Sequence, residues 1–288
     1  MTTPAVAVII PSLDGDVGPI RAALARQTLP PSEVAVVAGV RPNGRARNIG
    51  VAQTSAPLLL FLDDDALPGD ATLIARLIAP LLADATIGVT GAAKILPPGA
   101  PWFQRWAARE VARVVHPVVA RDSETNPDPP DFYCDVTTTC CAMRRELFER
   151  AGGFDERLVR GVDTEFFVRV RRTRGEDGAA PRFVLVANTW TYHPAPATFG
   201  ALLRKQFLYG FGHAQEVRRD GTRARGRALT TPLHAAAFLA LRTAIVLPNI
   251  FVPYSYAAPS WRLGFKPLKA VASYASALGY VWGWYRGE

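Results

Sequence analysis

An apolar run that ends in three consecutive aspartates constrains the fold more than any other feature of this chain. Residues 58–62 read Leu-Leu-Leu-Phe-Leu, and Asp63, Asp64 and Asp65 follow directly. A continuous apolar run of this length is typical of a strand buried on both faces. Adjacent carboxylates are costly to desolvate unless a positive group lies among them, and a hard divalent cation is one such group. Taken alone, the triplet fits a metal site or a solvated acidic turn equally well.

The first third of the chain alternates between strand and helix patterns. Strands are predicted at Ala5–Ile10, Glu33–Val40, Leu58–Leu62 and Ile87–Thr90, helices at Pro19–Arg26, Asn48–Thr54 and Ala71–Ala83, and loops at Pro11–Gly18 and Arg41–Arg47. This alternation predicts an α/β fold with a mostly parallel sheet and helices on both faces. Ligands of such sheets bind outside the carboxyl ends of the strands, and the aspartates follow one of those ends.

The middle of the chain continues with less regular patterns. Helices are predicted at Trp102–Val119, Arg144–Ala151 and Thr164–Arg172, strands at Asp135–Met143 and Arg182–Val186 with an edge extension at Trp190–His193, and a loop at Arg121–Asp131. Asp163 comes directly before one of these helices, where an aspartate is a favoured N-cap.

Cysteine content and the N-terminus indicate a cytosolic environment. The 288 residues include three cysteines, Cys134, Cys140 and Cys141, which form no even disulfide framework. Their spacing also gives little support to a zinc site. The first residues lack the basic segment and the long apolar stretch of a signal peptide. We therefore expect this part of the chain to stay inside the cell.

Positive charge is concentrated late in the chain. The net charge is +8, and acids and bases nearly cancel up to residue 100. A basic cluster then comes just before an apolar region: Arg204, Lys205, Arg218, Arg219, Arg223, Arg225 and Arg227. This order suits an anionic membrane surface, and a solvated arginine-rich helix is the alternative. We expect no nucleic-acid partner, because no recognised nucleic-acid module appears.

The last part of the chain is apolar and aromatic. Residues 229–252 are interrupted by His234, Arg242 and Pro248, and residues 271–284 end in clustered Trp and Tyr. Neither segment is a clean span of about 20 uncharged apolar residues, while Trp and Tyr favour the bilayer interface. We predict a membrane-associated helical appendage over residues 216–288, after a first domain over residues 1–215. A helical appendage packed on that domain is the alternative.

Four sequence segments, taken in order, resemble one enzyme family. They are "VAVIIPSLD", "RARNIGVAQTSAPLLLFLDDDALPGD", "CCAMRRELFERAGGFDERLVRGVDTEFFVRVRRTRG" and "TWTYHPAPATFGALLRKQFLYG". Together they are similar to the family 2 inverting glycosyltransferases, which have the nucleotide-diphospho-sugar transferase fold called GT-A. The resemblance covers residues 5 to 215 and implies transfer from a nucleotide sugar.

The resemblance also implies a metal site. Asp63 and Asp65 match the outer residues of the family's D-x-D motif, in which Asp65 would ligate Mn²⁺ or Mg²⁺ and Asp63 would lie near the ribose. His193 matches a position where many members carry a histidine that contacts the metal or the diphosphate. A cation held there would neutralise the charge that develops on the departing diphosphate.

On the acceptor side, the resemblance makes Asp163 the general base. A carboxylate within hydrogen-bonding reach can take the proton of the attacking hydroxyl. In the family's G-E-D pattern the residue before this aspartate is usually Glu, and here it is Val162. Glu165 would hold the geometry or face the acceptor. The "GGFDE" segment, with Gly153, Phe154 and Asp155, matches a motif that shapes the acceptor side.

The donor side is implied by a further set of matches. The residues expected there are Pro11, Ser12, Leu13, Arg47, Asp63 and Asp64. The second strand, "EVAVVAGV", ends without the Asp that many members use near the nucleotide base. The identity of the nucleotide is therefore left open between UDP, GDP and dTDP.

The leading hypothesis is a metal-dependent inverting glycosyltransferase on the cytoplasmic face of the cell membrane, with a glycan or lipid-linked acceptor. A nucleotidyltransferase is a second hypothesis, but the acidic loop "PSLDGDVGP" lacks the Gly-rich, basic character it would need. The third is a non-catalytic membrane-attached scaffold that binds a sugar or nucleotide. The joint presence of Asp63, Asp65 and Asp163 argues against such a decayed site.

Overall fold

The computed structural model describes residues 3–111, 114–125, 136–175, 178–219, 226–249 and 266–286. The strands of these residues join in one sheet: β1 (Val6–Ser12), β2 (Glu33–Ala38), β3 (Leu58–Leu62), β4 (Leu67–Pro68), β5 (Ile87–Ile95), β6 (Ser123–Thr125), β7 (Cys140–Arg144) and β8 (Arg182–Tyr192). The helices are α1 (Gly18–Ala25), α2 (Asn43–Ala52), α3 (Leu73–Ala83), α4 (Trp102–Glu110), α5 (Arg145–Arg150), α6 (Val162–Arg172), α7 (Phe199–Arg219), α8 (Pro232–Asn249) and α9 (Pro267–Arg286).

The sheet is mixed, so the prediction of a mostly parallel sheet was wrong in this respect. Its order is β2-β1-β3-β7-β5-β8-β4, with β6 paired to β8. Strand β1 is parallel to β2 and β3, and β5 is parallel to β8. Strand β7 lies antiparallel between β3 and β5. A short apolar strand has the same residue pattern in either direction, so its sequence did not reveal this reversal.

Helices pack on both faces of the sheet, as predicted. Because alternate residues of a strand point to opposite faces, Val8 and Ile10 lie in a buried cluster with residues of α1 and α3. On the other face, a Cβ added to Gly50 of α2 would touch Ile9. Phe61 meets Phe148 of α5 on that same face, with ring centroids 5.7 Å apart.

Two element boundaries differ from the predictions in a way that affects the site. Strand β1 continues through Ser12, so Pro11 and Ser12 belong to a strand and not to a loop. Helix α2 begins at Asn43 instead of Asn48. The Pro-Asn-Gly sequence before Arg45 is typical of a turn, but tertiary packing has extended the helix through it.

The chain divides into two compact units. The first, which we call the sheet unit, comprises Met1–Ile95, Val118–Arg157 and Val162–His193; the second, the helical unit, comprises Leu96–Pro117, Leu158–Gly161 and Pro194–Glu288. The helical unit contains α4, α7, α8 and α9. The sequence-based division of the chain at residue 215 stays a prediction.

Within the helical unit, α7 and α9 pack with their main chains in close contact. A methyl group added at Gly210 of α7 would overlap the carbonyl oxygen of Ser276, and one added at Gly279 of α9 would overlap that of Phe207. These glycines are therefore required for the approach of the two helices, as small residues are wherever backbones meet closely.

The predicted C-terminal helices are present as α8 and α9, whereas their membrane association stays a prediction. None of the helices formed by the described residues is both long enough and apolar enough to cross a bilayer.

Helix α4 ends at Glu110 and is shorter than predicted. Parts of the predicted basic cluster and of the segment 229–252 lie outside the described residues, as do Cys134 and most of the predicted loop at Arg121–Asp131.

Candidate functional site

The aspartate triplet lies where β3 ends and the chain turns into β4. The main-chain N–H of Asp63 donates to the carbonyl of Thr139 (3.0 Å), and that of Ala66 donates to the carbonyl of Asp63 (3.0 Å). Two residues beyond the triplet, Leu67 of β4 pairs with Tyr192 of β8. This pairing brings the residue that follows β8, His193, back to the triplet.

Asp63, Asp65 and His193 form a group that could hold a divalent cation. One ligand atom from each lies within 4.8 Å of the other two. His193 Nε2 is 3.3 Å from Asp65 Oδ1, with the imidazole side chain 8% exposed and the carboxylate 50% exposed. The main-chain N–H of His193 is fixed to the carbonyl of Ile95 (2.9 Å). Two carboxylates and an imidazole are a donor set that Mn²⁺ accepts, so these residues fit a metal with one side open to solvent.

The positively charged side chain of Arg47 lies beside the triplet. Arg47 Nη2 lies 2.6 Å from Asp63 Oδ1, and the exposed fractions of the two side chains are 4% and 22%. The Arg47 guanidinium also lies over the ring of Phe154, 5.5 Å from its centroid. Its Nε is buried and has no hydrogen-bond partner among the described residues. The sequence did not indicate this ion pair, because Arg47 and Asp63 belong to different elements, α2 and the turn after β3.

Asp163 lies in the first turn of α6. It is the second residue of the helix. The sequence-based prediction that Asp163 is the N-cap was therefore wrong. Asp163 Oδ1 accepts the main-chain N–H of Thr164 (3.0 Å). Val162, which stands where the family usually has Glu, is buried. A Cβ added to Gly44 of α2 would come within 2.9 Å of Val162 Cγ1, so an apolar contact occupies this position.

The charges of Arg47, Asp63 and Asp163 all act on Cys141, a buried residue of β7. Burial is the main reason that the pKa of the Cys141 thiol is raised, followed by the charge of Cys140. Arg47 acts in the opposite direction, while the negative charges of Asp163 and Asp63 raise this pKa further. One buried residue of β7 is thus within electrostatic range of all three charged side chains.

The "GGFDE" segment is held against α2 by Asn48. The amide of Asn48 donates to the carbonyl of Phe154 (2.9 Å) and to Glu156 Oε1 (2.9 Å), and its Oδ1 accepts the Phe154 N–H (2.9 Å). Gly153 has φ +67°, a backbone conformation that favours glycine, and a Cβ there would come within 3.0 Å of Asn48 Oδ1. Asp155 accepts hydrogen bonds from Arg157.

Contacts of Phe154 and Glu165 help to fix the "GGFDE" segment. Phe154 is buried and packs edge-on against Phe61, with centroids 5.3 Å apart. Glu165 forms a two-point ion pair with Arg169, at 2.5 and 2.8 Å, and Arg169 Nη2 donates to the carbonyl of Gly153 (2.7 Å). These contacts brace the segment that leads into α6.

The residues predicted for the donor side lie at the end of β1 and beside the triplet. Pro11 and Ser12 are buried, whereas Leu13 is 52% exposed. Ser12 Oγ accepts the main-chain N–H of Gly15 (3.0 Å) and thereby fixes the turn after the strand. Asp64 is partly exposed. Their contacts with a nucleotide stay predictions.

Comparison with solved structures identifies the fold. No protein-family model and no curated protein sequence matches the chain. The mannosyltransferase PcManGT from Pyrobaculum calidifontis, in complex with GDP-Man and Mn²⁺, superposes with a TM-score of 0.55 at 15% identity, over 98% of this chain and 88% of that chain. Glucosyl-3-phosphoglycerate synthase from Mycobacterium tuberculosis, in complex with Mn²⁺ and UDP-glucose, gives a TM-score of 0.51 at 16% identity, over 79% and 83%.

The chain has the GT-A fold. This confirms the fold implied by the resemblance of the sequence to the glycosyltransferases. At identities of 15–16%, the likeness to these two enzymes shows the fold alone. Within the GT-A fold of this chain, Asp63, Asp65 and His193 come from two separate sequence regions, and the sheet brings them together.

Proposed function

We propose that the chain is a metal-dependent inverting glycosyltransferase. It would move a sugar from a nucleotide-diphospho-sugar to a hydroxyl of a glycan or lipid-linked acceptor. The observation that carries the proposal is the meeting of Asp63, Asp65 and His193 within 4.8 Å of one another in a GT-A fold. A cation held by these three residues would stabilise the negative charge that develops on the departing diphosphate.

Asp65 and His193, with Asp63 beside them, would hold Mn²⁺ or Mg²⁺. Both structural neighbours described above were solved with Mn²⁺. When bound, the ion acts as a Lewis acid that stabilises negative charge on the diphosphate oxygens. The 50% exposure of Asp65 leaves its carboxylate accessible to the ion.

Asp163 would act as the general base. Its carboxylate would accept the proton of the acceptor hydroxyl while that oxygen attacks the anomeric carbon of the sugar. The bond between the anomeric carbon and the diphosphate breaks in the same step, and its electron pair leaves with the diphosphate. A single displacement from the opposite side inverts the configuration and needs no covalent sugar–enzyme intermediate.

The remaining site residues would position the two substrates. Pro11, Ser12, Leu13, Arg47, Asp63 and Asp64 are proposed for the donor side, and Gly153, Phe154, Asp155 and Glu165 for the acceptor side. The hydrogen bonds of Asn48 and the ion pair of Glu165 with Arg169 support the second group, because they fix the segment before α6. We further propose that residues 216–288 attach the chain to the cytoplasmic face of the cell membrane.

Slow transfer of the sugar to water tests the proposal without knowledge of the acceptor. The full chain would be incubated with UDP-glucose, GDP-mannose and related donors, with Mn²⁺ or with EDTA, and release of the nucleoside diphosphate would be measured. We expect release from one donor class that requires the metal. If the chain bound a donor with Mn²⁺ but released no nucleoside diphosphate, even with a mixture of glycan and polyprenyl-phosphate acceptors added, a binding scaffold would replace the enzyme.

A further inference from the structure

Helix α4 carries two tryptophans and two arginines on the side opposite to its buried face. The buried residues are Phe103, Gln104, Ala107 and Glu110. Besides Ala108, the remaining positions are Trp102, Arg105, Trp106 and Arg109, which recur at the spacing of one helix face. Together they line an open cleft of about 450 Å³. This arrangement concentrates aromatic surface and positive charge on one short helix.

Trp102 is the exposed member of a stacked tryptophan pair. The indole rings of Trp102 and Trp106 stack with centroids 5.8 Å apart and an angle of 22° between their planes. Trp106 Nε1 donates to Glu110 Oε1 (2.6 Å), while Trp102 is 66% exposed. Large exposed apolar surfaces on a folded protein mark interaction sites, and tryptophan favours the level of the lipid headgroups.

The start of α9 contacts the buried side of α4. The main-chain N–H of Leu268 donates to Glu110 Oε2 (2.8 Å), which places the start of α9 at the end of α4. The pKa of Lys266 is lowered by burial; Glu110 opposes that shift, and the nearby charge of Arg109 adds to it. The pKa of Lys269 is lowered by burial and by Lys266. Arg109 and Lys266 therefore lie near one buried carboxylate, that of Glu110.

The two compact units also differ strongly in charge. The helical unit contains 16 Lys and Arg against 4 Asp and Glu, a net charge of +12, whereas the sheet unit contains 17 against 21, a net charge of −4. The excess charge of the chain thus comes entirely from the helical unit. A charge of this size attracts anionic surfaces over roughly a Debye length.

We propose that the α4 surface, consisting of Trp102, Arg105, Trp106 and Arg109, docks on an anionic phospholipid membrane. The two arginines would meet the lipid phosphates while Trp102 enters the headgroup layer. A second copy of the helical unit would bring the same charge of +12 and be repelled. Other exposed apolar residues of this unit, Leu233 and Ile245 on α8, favour lipid over nucleic acid. This docking is independent of the transferase activity.

Vesicle co-sedimentation of the full chain tests this proposal. Vesicles of phosphatidylcholine would be compared with vesicles that also contain phosphatidylglycerol. We expect binding to the anionic vesicles only, weakened by salt. Arg109→Gln should weaken it roughly fivefold, since one basic residue near such a surface contributes about that factor, and Trp102→Ala should weaken it by at least as much. Both side chains are exposed, so the variants should keep the circular dichroism spectrum of the parent.

Matched controls come from the sheet unit. Arg26→Gln and Leu82→Ala replace exposed side chains of similar type, and they should leave vesicle binding unchanged. Unchanged vesicle binding by Trp102→Ala and Arg109→Gln would overturn the proposal. Loss of binding in Trp282→Ala, together with that result, would place the membrane contact on α9 instead of α4. Tighter binding to heparin or single-stranded DNA than to the vesicles, with the same loss in both variants, would also overturn it in favour of a polyanion site.

Discussion

Arg47 and Asp63 form an ion pair in which Nη2 lies 2.6 Å from Oδ1 and the guanidinium is almost fully buried. The pair joins α2 to the turn after β3. It explains how the chain tolerates three adjacent carboxylates at the mouth of a buried strand, since a fixed cation compensates the innermost one. Asp65 and His193, with Asp63 beside them, form the candidate metal site at the more exposed side.

Arg47→Met should destabilise the protein more than removal of both charges does. Loss of one partner leaves Asp63 beside buried apolar groups without compensation, at a cost of about 3 kcal/mol. The double variant Arg47→Met with Asp63→Asn should recover part of that free energy. Urea unfolding of Arg47→Met, Asp63→Asn and the double variant measures the coupling, and additive effects would show that the pair contributes no interaction energy.

Asp163→Asn should abolish transfer and leave nucleotide binding intact. The asparagine oxygen can still accept the N–H of Thr164, so the first turn of α6 should be preserved. Loss of a general base lowers the rate by roughly 10²–10⁴-fold. Steady-state kinetics with calorimetric donor binding separates the two effects. Wild-type turnover in this variant would remove Asp163 from the chemistry.

Asn48→Ala should loosen the segment that leads into α6. It removes two hydrogen bonds to the main chain of Phe154 and one to Glu156, which we expect to cost about 2 kcal/mol. The turnover number should also fall, because the segment before Asp163 loses its brace. Gln53→Ala, at the exposed end of the same helix, is the matched control and should change neither quantity. Equal stability of the two variants would contradict this role of Asn48.

Gly210→Ala should separate α7 from α9, whereas Gly200→Ala should be tolerated. A Cβ at Gly210 would overlap the main chain of α9, and one at Gly200 of the same helix meets nothing within 4 Å. We expect a loss of about 3 kcal/mol or more in the first case and little change or a small gain in the second. Thermal unfolding of both variants provides the comparison. Similar midpoints would mean that the two helices are not packed as described.

The sequence predicted the elements whose patterns are local and strong. Strands β1 and β3 and helix α3 have apolar residues in nearly uninterrupted or periodic runs, and the predictions placed all three to within two residues at each end. It missed β4, because a two-residue edge strand that contains Pro68 has no pattern of its own. Yet β4 pairs with β8 and brings His193 to the triplet, so the sequence suggested the residues of the site but not how they meet.

The contacts that fix the site depend on tertiary packing. The segment from Arg41 to Arg47 looks like a loop, but α2 begins at Asn43, and its Gly44 lies close to Val162. Helix α2 then presents Arg47 to Asp63 and Asn48 to Phe154. No spacing rule connects residues so far apart in the chain, which is why these two partners were not foreseen.

Calorimetric titration with nucleoside diphosphates tests the central claim most directly. UDP, GDP and dTDP would each be titrated into the full chain with Mn²⁺ and with EDTA, and into Asp65→Ala and His193→Gln. We predict that one nucleotide binds tightly with Mn²⁺, and that EDTA or either substitution removes most of this affinity. Affinity that is the same with and without metal, and the same in both variants, would contradict a metal-dependent donor site at Asp65 and His193.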